Sequence, residues 1–172
     1  VMAHKKNRQV ALGPNARLYF EDRLTMQYQV QEMLRIEKIF EAEGIDEELE
    51  AYNPLIPDGT NWKATFMVEY ADPEERRQQL ARLIGIERSV WVCIGDHEKV
   101  HPIANEDLQR ETEDKTSSVH FLRFELSAPM VESIKRGAGV TMGVSHPEYS
   151  FETGPLPSNI VQSLADDLAL RN

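Results

Sequence analysis

Trp62-Lys63-Ala64-Thr65-Phe66-Met67-Val68-Glu69-Tyr70 (WKATFMVEY) is the stretch that decides the fold class. Trp62, Ala64, Phe66, Val68 and Tyr70 fall on one face at a period of two, and Lys63, Thr65, Met67 and Glu69 on the other. Strands of a buried parallel sheet run continuously apolar, so this alternation points to an antiparallel or mixed sheet. Residues 117–126 repeat it: His120, Leu122, Phe124 and Leu126 face one way, Val119, Phe121, Arg123 and Glu125 the other.

Working outward, residues 9–12 and 17–20 read as two strands around the turn Gly13-Pro14-Asn15. This hairpin feeds residues 20–44, FEDRLTMQYQVQEMLRIEKIFEAEG, which read as one long helix with Asp22 as N-cap and Gly44 at its left-handed end. Met26, Val30, Met33, Ile36, Glu37 and Phe40 share one face of a rod about 30 Å long. Residues 46–52 read as a short helix ended by Asn53-Pro54. Asp72-Pro73-Glu74-Glu75 starts another, which ends at Gly85. Further strands are expected at 88–94, 100–103 and 140–144, a part-helical polar excursion at 105–113, and a helix at 129–136 closed by Gly137. Ser158 is expected to cap a last helix carrying Ile160, Val161, Leu164 and Leu168. The whole is an α+β fold. A single domain over residues 1–172 carries an antiparallel or mixed sheet of about five strands, with one long helix and several shorter helices packed on one face. Residues 1–7 read as loose, and the start at Val1 reads as an N-terminus lacking some residues.

The chain has 41% hydrophobic and 28% charged residues and a net charge of −10. That balance argues against nucleic acid, whose phosphates need a basic face, and against anionic membrane surfaces. Glu37, Glu41, Glu43, Asp46, Glu47, Glu48 and Glu50 crowd into one segment, read as a solvated helix end and loop. A single cysteine excludes an internal disulfide and suits a reducing, cytoplasmic compartment. Cys93, inside Val90-Trp91-Val92-Cys93-Ile94, reads as a buried, inert thiol. No nucleotide-binding motif is present: Gly137-Ala138-Gly139-Val140-Thr141-Met142-Gly143 follows a helix and opens a strand, the reverse of what pyrophosphate binding needs.

The candidate site residues lie on the long helix and the strands. Glu21, Thr25, Tyr28, Glu32 and Arg35 form a polar stripe beside the apolar one. From it Tyr28, Glu32 and Arg35 are candidate ligand-binding residues, with Glu32 and Arg35 also spaced to pair on the helix surface. Glu37 falls among apolar residues and is a further candidate. A buried carboxylate there must be paired, as with Arg17 or Arg123, or protonated, or bound to a cation. His120 shares an otherwise apolar face, a place for a hydrogen-bonded core histidine or for a ligand. Glu32, Glu37, Glu69, His120 and His146 make a candidate oxygen–nitrogen set for iron or manganese. Asp96-His97-Glu98 with His101 reads as an exposed turn.

LGPNARLYFEDRLTMQYQVQEMLRIEKIF (residues 12–40), YNPLIP (52–57), ATFMVEY (64–70), RRQQLARLIGIE (76–87) and SSVHFLRFEL (117–126) together resemble a family of uncharacterised bacterial proteins catalogued as a domain of unknown function. The resemblance covers residues 8–168 and supplies no catalytic residues. It implies genes beside those of rubrerythrin-like and iron–sulfur oxidoreductase-like proteins, hence a link to oxidative stress. It also implies members that begin earlier than Val1. The leading expectation is an accessory or binding protein working with redox or peroxide-defence partners. The alternatives are a metal-dependent enzyme using iron or manganese, and a structural homo-oligomer subunit.

Overall fold

The computed structural model describes residues 2–106 and 109–169. The alternation read from the sequence builds a five-stranded antiparallel sheet in the order β1-β2-β3-β6-β5. Its strands are β1 (Gln9–Ala11), β2 (Ala16–Glu21), β3 (Asn61–Val68), β5 (Ile103–Ala104) and β6 (Val119–Glu125). A second, three-stranded antiparallel sheet joins β4 (Val90–Ile94), β7 (Val140–His146) and β8 (Tyr149–Glu152). Register fixes the faces: Phe66 pairs with His120, Ala64 with Leu122 and Trp62 with Phe124. These residues face a single core, shared with Val92, Met142 and Val144 of the second sheet and with Val131, Ile134 and Leu164 from two helices. Trp62 packs edge-on to Phe20, ring centroids 6.0 Å apart, and donates its indole N–H to the Leu164 carbonyl at 2.9 Å.

Among the described residues, six α-helices complete the domain: α1 (Met2–Lys6), α2 (Arg23–Glu37), α3 (Ala42–Tyr52), α4 (Pro73–Arg82), α5 (Ala128–Lys135) and α6 (Ser158–Ala165). Asp22 caps α2 as expected, accepting from the Thr25 amide at 2.8 Å, while Thr25 Oγ1 accepts the Asp22 amide. Asp72 likewise caps α4 through the Glu75 amide.

Several expectations are corrected. The single long helix is two helices: α2 ends at Lys38, left-handed at φ 54°, and α3 starts at Ala42. Its fifteen residues span about 22 Å rather than 30. Past Val30 the apolar face loses its partner, leaving Ile36 61% and Phe40 83% exposed. Gly44 is no terminator but lies inside α3, where a Cβ would come within 2.5 Å of Ile39 Cγ2. Residues 2–6, read as loose, form α1, and Arg8 behind it is 1% exposed. Ser158 is the first residue of α6, with Pro157 in the capping position and no side-chain cap bond. β8 lies in a stretch read as loop. The 100–103 strand shrinks to a Val92–Val100 bridge followed by β5. Cys93 is half-buried, with its thiol toward the His97 carbonyl at 3.3 Å. In the 105–113 stretch, Asp107 and Leu108 lie outside the described residues; the described remainder holds no helix.

Arg8 joins the two ends of this fold. Its Nε donates to the Phe20 carbonyl at 2.9 Å, and its Nη1 to Ser163 O and Oγ at 3.0 and 3.1 Å. Nη2 reaches the Glu21 carbonyl at 3.2 Å and pairs with the Asp167 carboxylate. Removing one partner of a buried ion pair strands the other's charge. Arg8→Ala is therefore expected to cost about 3–5 kcal/mol, read as a lower urea midpoint.

Candidate functional site

The outer face of the five-stranded sheet carries an apolar patch among charged residues such as Arg17, Lys63 and Arg123. Met67, Val119 and Phe121 stand there beside Tyr19, Glu21 and Thr65. The N-terminal half of α2, through Thr25, Met26 and Gln29, and the end of α3 with the 3-10 turn after it, through Tyr52 and Leu55, close over this face. Between them lies a cavity of about 370 Å³, rimmed by Lys5, Arg8 and Gln9. That volume is within the range of small-molecule sites, about 300–1,000 Å³. A neighbouring cavity shares the walls Tyr52, Leu55 and Phe121.

Glu21, the last residue of β2, is the cavity's half-buried acid. Oε2 accepts the Thr25 hydroxyl at 2.6 Å and Oε1 the Thr65 hydroxyl at 3.2 Å. Burial pushes its carboxyl above the usual range, and those two hydroxyls with the charges of Lys5 and Arg8 only partly offset it. Arg8 bonds the Glu21 backbone carbonyl rather than its carboxyl, and Lys5 Nζ lies over the Tyr28 ring, 4.6 Å from its centroid. One residue on, burial would raise Asp22 too, but the Thr25 amide, Arg8 and His4 outweigh it and hold that carboxyl low. Burial pushes Asp167 up to about 6 against the pull of Arg8.

The residues singled out from sequence scatter around this cavity. Tyr28 is not among the cavity's walls and carries Lys5 over its ring. Glu32 and Arg35 pair at 2.8 Å on the solvent side of α2. Glu37, expected to be partly buried, is exposed because α2 has left the sheet by then, and it lies beside Glu48. Its expected partners are engaged elsewhere: Arg17 with Gln9, and Arg123 with Glu106 and Glu125. Glu69 is exposed and accepts the Tyr19 hydroxyl at 2.8 Å. His146 bonds the Ile84 carbonyl through Nε2 at 2.9 Å and accepts the Glu148 amide at Nδ1. Among the described residues, no three His, Cys, Asp or Glu side chains gather so as to hold a metal ion.

His120 is fully buried on the core side of β6. Its Nε2 is 2.9 Å from the Ser117 carbonyl, an acceptor, so Nε2 carries the proton. Nδ1 then accepts from the Asn105 amide at 2.8 Å. Glu87, which the sequence did not single out, lies 3.8 Å from Nε2 and is 1% exposed. Burial lowers His120 to about 4, so the imidazole is held neutral, and raises Glu87, whose Oε1 accepts from Arg88 Nη1 at 3.1 Å.

Sequence reasoning placed Glu21 and Thr25 on the polar stripe but missed Lys5, Thr65, Phe121 and Tyr52 as their company. The legible signal was the run of apolar residues on the strands' supposedly wet face.

With this geometry in place, comparison fixes the family. The family model for proteins of unknown function designated DUF3501 matches residues 1–168. The chain belongs to the DUF3501 family. A solved structure of a protein of unknown function from Burkholderia pseudomallei K96243 is 49% identical to this DUF3501 chain. It superposes with a TM-score of 0.92, over 98% of this chain and 87% of that one. No curated protein matches the chain. Among the described residues, no helix of this DUF3501 protein is long and apolar enough to cross a membrane.

Two titrations test the site. The folded-state value of Glu21 is raised above its unfolded value near 4.5, so its contribution favours folding at low pH and is lost as pH rises through the folded value. Glu21→Gln is expected to gain stability relative to wild type between pH 4.5 and neutrality, read by urea unfolding at several pH values. For His120 the folded value is depressed, so stability falls as pH drops from 6.5 toward 4, by about 1.4 kcal/mol per unit. Its imidazole resonances are expected to stay unshifted until about pH 4.

Proposed function

We propose that this protein is an accessory binding protein that holds a small, largely apolar molecule with one polar head under the α2–α3 roof. The observation that carries the reading is Glu21: a half-buried carboxyl, pushed up by burial, at a partly apolar cavity with two hydroxyls turned onto it. Those hydroxyls hold the acid in place, and Phe121, Met67 and Leu55 supply surface for an apolar body. The partners are proposed to be redox proteins, the company that the family resemblance implies. The acidic α3 segment with exposed Phe40 beside it offers them a surface. A metal-dependent enzyme receives no support from the geometry, since its proposed donors stand on different elements and faces.

Titration with toluene and phenol, followed by methyl NMR, tests the binding reading. Met26, Met67 and Val119 methyl signals are expected to shift with a saturable dependence. Thr65→Phe, which fills the cavity, should abolish those shifts while leaving the core methyls of Val92 and Val144 in place. Shifts confined to other methyls, or none, would refute the assignment.

A further inference from the structure

Among the described residues, the Glu21 carboxyl meets hydroxyls but no cation at contact. Thr25 and Thr65 supply one O–H each, which leaves acceptor capacity on both of its oxygens. The cations nearest in the fold are engaged elsewhere. Arg8 is held by the Phe20 and Glu21 carbonyls, Ser163 and Asp167, and Lys5 by the face of Tyr28. Bringing a carboxylate to such a place is costly unless a positive partner arrives with hydrogen-bond donors. The cavity's remaining walls, Phe121, Tyr52, Met67 and Leu55, suit an aromatic or aliphatic body, and aromatic faces also attract a cation.

We propose that the ligand of this cavity is a primary ammonium on an apolar or aromatic body, its N–H donors on the Glu21 carboxylate and its body against Phe121, Met67 and Leu55. This rests on the binding reading above and adds the chemical class. Binding is coupled to a proton: a protonated Glu21 releases its proton to the buffer as the ammonium, already charged, takes its place. The other charged and titratable groups around the cavity are Lys5 from α1, Arg8 ahead of β1, Tyr19 from β2 and Tyr52 from α3. Lys5 and Arg8 assist ionisation of Glu21. A ligand carboxylate would face the Glu21 carboxyl in the same space, a like-charge repulsion that Lys5 at the rim would offset only in part.

Calorimetric titration with three probes of one shape separates the classes: 2-phenylethylamine, 2-phenylethanol and 3-phenylpropionate. At neutral pH the amine is expected to bind about tenfold or more tightly than the alcohol, the worth of a charge-assisted bond, and the carboxylate most weakly. Repeating the amine titration at progressively lower pH should weaken its binding, because protonation of Glu21 removes the anion that the ammonium meets. Glu21→Gln should lose the preference for the amine and keep the alcohol. Equal affinities for amine and alcohol, or tightest binding of the carboxylate, would overturn the ammonium class while leaving cavity binding intact. Failure of all three probes to bind would overturn both.

Discussion

The guanidinium of Arg8 is the constraint on which the rest of the arrangement depends. It is almost wholly buried, and its donors reach two carbonyls at the end of β2, a carbonyl and hydroxyl in α6, and the Asp167 carboxylate just beyond. An arginine fork can serve so many acceptors because its N–H groups lie in one fixed plane. By holding the Phe20 and Glu21 carbonyls it fixes where β2 ends. That position sets Asp22 as the α2 cap and aims Glu21 at the cavity. One charged residue thus ties the outer-face site to the C-terminal helix on the core side.

Two buried polar systems occupy opposite faces of the same sheet and solve the same problem differently. On the core side, burial holds His120 neutral and raises Glu87, and the histidine ring is bonded at both nitrogens. That ring specifies register between β6 and the segments around it, while the buried Glu87 Oε2 has no hydrogen-bond partner among the described residues. On the outer side Glu21 is also disfavoured as a charge, but its carboxyl opens on a cavity instead of on packed side chains. The first system stabilises one conformation, while the second leaves acceptor capacity for something else to use.

Strand alternation made the main sheet readable, because residues 62–70 and 117–126 each carry an unambiguous period of two. The caps at Asp22 and Asp72 were equally plain, being local chemistry within one turn. The errors came where distant residues decide. Periodicity at Ile36, Glu37 and Phe40 announces a face but not whether anything packs on it, so one rod was expected where the chain turns at Lys38. Arg8 sits in a polar stretch whose partners at Ser163 and Asp167 are remote in sequence, and nothing local marks it as interior. β8 carries no buried alternation, its residues being half-buried or exposed, and so passed for loop. For the site, Glu21 and Thr25 were visible on the helix stripe. The strand residues opposite them became meaningful only once the sheet was seen to be covered on both faces.

The Arg8–Asp167 pair closes a separation of 159 residues. Contacts so remote form late, because a long stretch of chain must be confined before they reward it. During synthesis the hairpin at residues 9–21 emerges long before Asp167, the anion that completes its buried arginine. Until then that arginine lacks this carboxylate, and the end of β2 lacks the clamp that aims its acid. The cavity is therefore matured only when the segment around Asp167 docks.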